Sequence, residues 1–384
     1  MSLSNHASPL FITVPKCRVC LLSQTYDRAY IQKWLKDGHR TCPHTQQVLP
    51  HTVLIPNLLV RELISEWCKN HGIDLPSPII DIDEEIIKDA DRGHLYSLLE
   101  KMSASPSDQK EAAKELRLLT KRVPSFRALF GESIDTIPQL LNAFSPGRAN
   151  TDPELQEDLV TTVLNISIHD DNKRIVAENP LVIPLLIESL KSGTIETRSN
   201  AAAALFTLSA VDSNKHIIGK SGALGPLIVL LDEGHPLAMK DAASAIFNLC
   251  IVLENKGRAV HEGAVRVISR KIVDRILLNE LLAILAMLCS HPKAIEEIGE
   301  VGALPCLLSI IRENTSEQNK ENCIAIIFAV YFSDRSKWRV IEEEENANGT
   351  ISGLAQTGTS RAKRKATGIL ERLNRQAASI TRSA

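Results

Sequence analysis

The fold class the sequence predicts is all-α: a right-handed solenoid of stacked helical repeats, preceded by a smaller α/β segment. Three observations lead there. Short sequence markers recur about every 40 residues through most of the chain. Apolar residues between the markers keep helical spacing. The chain is 44% hydrophobic but only 4% aromatic, a Leu, Ile, Val and Ala composition that suits close-packed helices. At 384 residues it exceeds the usual single-domain size, so two domains or one elongated array is expected.

Charge and targeting signals narrow the function classes. Lys plus Arg number 44 and Asp plus Glu 46, for a formal charge of -2. This balance gives no global pull toward nucleic acid or anionic membrane, so a protein partner is the default. The apolar stretch Pro9 to Val14 is too short for a secretory core or a membrane span. The expected location is therefore cytoplasmic or nuclear, where the eight Cys are reduced thiols. Cys250, Cys289, Cys306 and Cys323 sit in Leu/Ile/Ala-rich runs and read as small apolar core residues.

The first element spans residues 1–76. It carries Gln24-Thr25-Tyr26-Asp27-Arg28, a helix from Ala29 to Leu35, Cys42-Pro43, Leu54-Ile55-Pro56-Asn57 and a closing helix from Leu58 to Asn70. This stretch is similar to the later two-thirds of a U-box, a small α/β domain with the RING shape but no zinc. The resemblance implies loops held by hydrogen bonds and ion pairs, with Asp27, Arg28, Lys36, Asp37 and His39 as the charged candidates. It also implies a ubiquitin-conjugating enzyme as partner. Trp34 matches the helix position and Pro43 the loop proline that contact this enzyme. Gln46 falls where family members often carry an Arg that steadies the ubiquitin-charged conjugate.

Upstream the resemblance ends. Family members have an Asp-Pro-Val run and a glycine just before Gln-Thr-Tyr, whereas here Leu21-Leu22-Ser23 precedes Gln24. The first part of the domain is thus missing or replaced. A competing zinc reading uses Cys17-x-x-Cys20 with His39, Cys42, His44 and Cys68. It lacks a second Cys-x-x-Cys pair at ligand spacing, so the expectation is no metal and no cofactor.

The second element, residues 77–105, reads as a linker. It holds an acidic helix-like run from Asp81 to Asp91 and a Ser-rich hinge from Ser103 to Ser107.

The third element, 106–384, is the repeat array. Asn172-Lys173, Asn214-Lys215 and Asn255-Lys256 recur at intervals of 42 and 41 residues. Leu164-Asn165-Ile166-Ser167, Phe206-Thr207-Leu208-Ser209, Phe247-Asn248-Leu249-Cys250 and Ala286-Met287-Leu288-Cys289 recur at 42, 41 and 39. Gly222-Ala223, Gly263-Ala264 and Gly302-Ala303 recur at 41 and 39. Leu155, Leu159, Val163 and Ile166 lie on one helical face that cannot be buried alone, so neighbouring units must stack. The glycine allows a tight turn between the last two helices of a unit. Pro184, Pro226 and Pro305 fall early in the next helix, where a missing amide hydrogen costs least. Weaker copies cover Gln109 to Phe144 and Ile351 to Asn374. In the latter Ala362, Ala366, Ile369 and Leu373 form a buried stripe beside the basic residues Arg361, Lys363, Arg364 and Lys365, read as a solvated face.

This region resembles armadillo repeats, and the U-box, linker and repeats together resemble the plant U-box ubiquitin ligases. In armadillo proteins the third helices line a concave groove, often through an Asn ladder that holds an extended peptide. The matching positions are Asn165, Thr207, Asn248, Met287 and Phe328, of which only two are Asn. The resemblance implies a target protein in a mixed polar and apolar groove, and argues against a transport adaptor holding basic peptides. No nucleophile set, paired carboxylates or nucleotide fingerprint appears at motif spacing. The expected activity is thus a ubiquitin-protein ligase without a catalytic residue of its own; the alternative is a non-catalytic binding scaffold with a defective U-box.

Overall fold

The computed structural model describes residues 18–20, 24–26, 28–43, 55–56, 89–144, 152–313 and 316–381. The chain divides into two compact units, Met1–Ile86 and Ile87–Ala384.

In the smaller unit, β1 (Arg18–Cys20) pairs antiparallel with β2 (Gln24–Tyr26) and β3 (Ile55–Pro56), giving a sheet of order β2-β1-β3. Val19 stands opposite Thr25 on one side and Ile55 on the other. A strand therefore occupies Arg18–Cys20, in the segment where the sequence predicts the domain's first part to be missing or replaced. Helix α1 (Arg28–Lys36) buries Ile31 completely. Behind it Cys42 is wholly buried against Tyr26 and Leu35.

The larger unit is helical throughout its described residues. Helices α2 (Asp89–Lys101) and α3 (Pro106–Arg122) lead into α4 (Pro124–Ala128), a 3-10 turn (Leu129–Gly131) and α5 (Thr136–Leu140). Four three-helix units follow. They are α6 (Pro153–Ser167), α7 (Asn172–Glu178) and α8 (Val182–Ser192); α9 (Ile195–Leu208), α10 (Asp212–Lys220) and α11 (Leu224–Glu233); α12 (Pro236–Leu249), α13 (Leu253–His261) and α14 (Ala264–Val273); and α15 (Leu278–Leu288), α16 (Pro292–Glu300) and α17 (Leu304–Glu313). A further unit holds α18 (Glu317–Ser333), a 3-10 turn (Arg335–Lys337), α19 (Trp338–Asn348) and α20 (Thr350–Thr357), and α21 (Ser360–Thr381) follows it. The leading helices α3, α6, α9, α12, α15, α18 and α21 pack in series into one layer. These are the third helices of the armadillo repeat.

Sequence explains the joints. Ser105, Asp152, Thr194 and Ser316 each accept a backbone N–H at the start of a leading helix, and Pro106 and Pro153 follow two of these caps. The marker glycines Gly222, Gly263 and Gly302 take φ of +85°, +84° and +67°, a left-handed turn that a side chain would strain. The stripe of Ala362, Ala366, Ile369 and Leu373 is buried as expected. Cys250 and Cys323 are wholly buried, and burial pushes the Cys250 and Cys289 thiols up to about 12.

The recurring Asn-Lys marker has a structural cause. Asn172, Asn214 and Asn255 are wholly buried. Each amide donates once to the leading helix of its own unit and once to the unit before. Asn214 reaches Leu208 O at 3.0 Å and Lys173 O at 2.9 Å; Asn172 reaches Ile166 O at 3.2 Å and Arg127 O at 2.6 Å. The series stops in the fourth unit, where the buried Ala294 stands the same distance after Cys289 as Asn255 stands after Cys250. Just upstream, Arg275 and Leu277 take positive φ of 61° and 44°, conformations that cost non-glycine residues energy.

The linker expected over 77–105 and its hinge differ from what forms. Residues 89–101 are α2, and Leu95, Leu98, Leu99 and Met102 lie in the repeat core. Their i, i+3, i+4, i+7 spacing is a helical face that the surrounding charges hide. The Ser103–Ser107 stretch is a corner between helices, with Ser105 as the cap of α3. The repeat unit therefore begins before Pro106.

Candidate partner-binding surfaces

On the smaller unit, two positions expected to touch a conjugating enzyme lie among the described residues. Trp34 is half-buried on α1, its indole Nε1–H donating to Thr41 O at 2.8 Å. Its ring stacks on His39 at 3.9 Å between centroids and 19° between planes. This fixes the turn leading to Pro43, which is also half-buried. Gln46 lies outside the described residues. Of the charged candidates, Asp37 and His39 are exposed; His39 acts through its ring stack with Trp34. Arg28 and Lys36 bound α1, and Asp27 lies outside the described residues. The Cys42 thiol contacts the Tyr26 hydroxyl at 2.7 Å inside the small core, a packing role in place of a metal ligand's.

On the larger unit, Asn165, Thr207, Asn248, Met287 and Phe328 stand at the same turn of five successively packed leading helices. They do not behave alike. Asn165 is buried, and its amide is committed within the fold to Arg117 O at 3.3 Å and Thr120 Oγ1 at 3.2 Å. The Thr207 hydroxyl donates to Ala203 O, one turn back, at 2.8 Å. Asn248 is half-buried and makes no side-chain hydrogen bond among the described residues, so its amide is available to a ligand. Met287 is half-buried. Phe328 stacks on Phe332 at 4.1 Å and lies beneath the Lys365 ammonium.

Two neighbours escaped sequence reasoning. Phe206 and Phe247, each one residue before the row, are 40% and 37% exposed on adjacent helices α9 and α12. Their shared register inside the recurring marker was the signal available. Toward the starts of the same helices runs a polar seam. Arg117 Nε pairs with Asp158 at 2.9 Å, Asn200 donates to Thr161 at 3.0 Å, Ser199 to Asp241 at 2.9 Å, and Asn319 to Asn279 at 2.7 Å. Burial raises the Asp158 and Asp241 carboxyls above their usual range, opposed by Arg117 for the first and by the Ser199 hydroxyl for the second. The seam ties neighbouring leading helices together, while the predicted row offers the Asn248 amide, and Phe206 and Phe247 are exposed on the same layer.

No group of three or more potential metal ligands lies together among the described residues, and no described helix is long and apolar enough to cross a membrane.

Comparison with known proteins gives two family matches. Residues 9–73 match the U-box domain and residues 94–303 the plant U-box protein ARM repeat region. The first match includes the strand β1 and the altered start. The chain is 60% identical over 366 residues to U-box domain-containing protein 9 of Arabidopsis thaliana, covering 94% of this chain and 79% of that protein. It is 45% identical over 384 residues to the putative U-box domain-containing protein 46 of the same plant, covering 95% and 83%. Among solved structures, an engineered protein superposes with a TM-score of 0.60 at 21% identity, over 74% of this chain and 69% of that one. A designed armadillo repeat protein in complex with the peptide (KR)4 gives 0.50 at 19% identity, over 62% and 99%. These likenesses establish the solenoid fold.

Proposed function

The chain belongs to the plant U-box proteins with an ARM repeat region, and on that premise we propose that it is a ubiquitin-protein ligase that brings a charged conjugating enzyme and a target protein together. Its U-box recruits the enzyme through Trp34, Pro43 and Gln46, and its leading-helix layer holds the target along Asn165, Thr207, Asn248, Met287 and Phe328. Neither step asks for a nucleophile from this chain. Holding two reactants side by side raises the effective concentration of the target lysine at the thioester, and the chemistry is the conjugating enzyme's.

The observation that carries this reading is the presence of both family regions in one chain, at 9–73 and 94–303. The geometry supports it in two places. Trp34 is tied by Thr41 and His39, which limits the entropy lost when an enzyme loop packs on it. The half-buried Asn248 and the exposed Phe206 and Phe247 on adjacent helices offer a polar anchor and apolar surface, a common composition for a protein-binding site. The test is autoubiquitination of the folded full chain with a broad panel of conjugating enzymes. Absence of product across the panel refutes the ligase reading.

A second reading has its own observation. Leu21-Leu22-Ser23 precedes Gln24 where the family resemblance called for an Asp-Pro-Val run and a glycine. On that reading the chain is a binding scaffold that competes with its relatives for targets. Replacing residues 1–23 by a complete family-like start separates the two: activity gained only by the completed chain favours the scaffold.

A further inference from the structure

The basic run Arg361 to Lys365 reads from sequence as a solvated face, but the structure divides it. Lys363 and Arg364 are exposed. Arg361 pairs with Glu321 of α18 at 3.3 Å, and farther along α21 Arg375 pairs with Glu371. Lys365 instead turns onto α18, its ammonium 3.8 Å from the centre of the Phe328 ring. Farther along both helices the arrangement repeats: the Arg372 guanidinium lies 4.5 Å from the Phe332 ring and 5.0 Å from Tyr331. Neither cation forms an ion pair with a carboxylate among the described residues. Burial and the neighbouring Arg361 and Arg364 lower the Lys365 pKa, so its charged form is held at a cost. Ring faces satisfy a cation only in part. Beside it Phe332 is 42% exposed, which gives the patch an apolar lip.

We propose that this end of the leading-helix layer, with Lys365 and Arg372 over the stacked rings of Phe328 and Phe332, docks an acidic segment of the target protein. The inference rests on the groove reading above, because Phe328 belongs to the same row as Asn248, and it adds the chemistry of what binds at one end. A carboxylate or phosphate group there would relieve the crowding of positive charge around Lys365, while an apolar neighbour in the peptide covers Phe332. A short acidic segment fits better than a polyanion lying along the whole layer, because the leading helices carry Asp158, Asp241 and Glu321.

The test measures fluorescence anisotropy of labelled peptides with the full chain: an oligoglutamate peptide with a central phenylalanine, and its oligolysine counterpart. The acidic peptide is expected to bind more tightly than the basic one and to weaken with salt. The double change Lys365→Gln and Arg372→Gln is expected to weaken it about tenfold or more, with Asn255→Ala as a control that leaves binding unchanged. Should the double variant melt early, the exposed change Arg364→Glu supplies the same test by repulsion. Equal binding by these variants and the parent overturns the proposal, as does failure of the acidic peptide to bind. Preference for the basic peptide, or displacement by oligouridylate or anionic vesicles at lower concentration than by unlabelled peptide, also overturns it. If Phe247→Ala abolishes binding while the charge variants do not, the groove reading survives and only this inference falls.

Discussion

The side-chain amide of Asn255 donates to the backbone carbonyl of Lys215, one repeat earlier, at 2.9 Å, and to Leu249 within its own unit at 3.0 Å. Asn172 and Asn214 make the same pair of bonds. One buried side chain thus ties the leading helix of its unit to the short helix of the unit before.

Removing such a tie leaves buried carbonyls short of a donor. Asn255→Ala and Asn214→Ala are each expected to destabilise the array by about 1–3 kcal/mol, read from denaturant unfolding midpoints. Gly219→Ala should do comparable damage from the opposite side, because its added Cβ would collide with the Asn255 side-chain amide. Midpoints unchanged in all three variants would contradict the role given to this amide.

The two asparagines of the predicted ladder should separate stability from binding. Asn165 spends its amide on Arg117 and Thr120, so Asn165→Ala lowers the melting temperature. Asn248 spends none, so Asn248→Ala leaves melting within error and weakens target capture, as does Phe247→Ala. Equal melting losses at both asparagines would show that Asn248 is also structural.

Asp241 gives a pH prediction. Burial raises its carboxyl above the ordinary 3.8, with Ser199 and Lys240 opposing. The folded state therefore binds a proton more readily than the unfolded one. Its favourable contribution is full below the unfolded value and is lost as pH rises through the raised folded value. Asp241→Asn, which can still accept from Ser199, is expected to raise the melting temperature at neutral pH, with the gain disappearing below about pH 4. A gain that is constant with pH would place the effect elsewhere.

The role proposed for Trp34 is testable in the smaller unit. Trp34→Phe retains a ring to stack on His39 but gives up the hydrogen bond to Thr41 O, whereas Trp34→Ala removes both. Autoubiquitination is expected to fall about tenfold or more with Ala, the size of loss typical of a central interface Trp, and less with Phe. Calorimetric melting of the repeat unit should be unchanged in both. Full activity of the Ala variant would remove Trp34 from the enzyme contact.

Much of this was legible in the sequence. The 41-residue step, the marker glycines, the early prolines and the stripe ending at Leu373 follow from periodicity and backbone sterics, which depend on residue type alone. The burial of Asn172, Asn214 and Asn255 was not, because a recurring Asn reads the same whether its amide faces solvent or a neighbour's carbonyl. The expected ladder position Asn165 illustrates the converse: Arg117 and Thr120 in the preceding leading helix take its amide. Helix α2 was hidden by its charges, since only Leu95, Leu98 and Leu99 of it, with Met102 just past its end, are buried in the core. Lys365 was misread as solvated because nothing in a run of five residues reveals an aromatic ring on another helix.

Ala294 has a mechanical consequence. A repeat array behaves as a row of coupled springs, each unit held by its own packing and by the link to its neighbour. Three successive links carry an amide clasp, and the next does not. The contact between the third and fourth units is therefore softer than the three links before it, and the loop with Arg275 and Leu277 at positive φ lies beside it. Tension applied to a captured target would first change curvature there, so the part of the groove around Asn248 would keep its shape while the part around Phe328 swings.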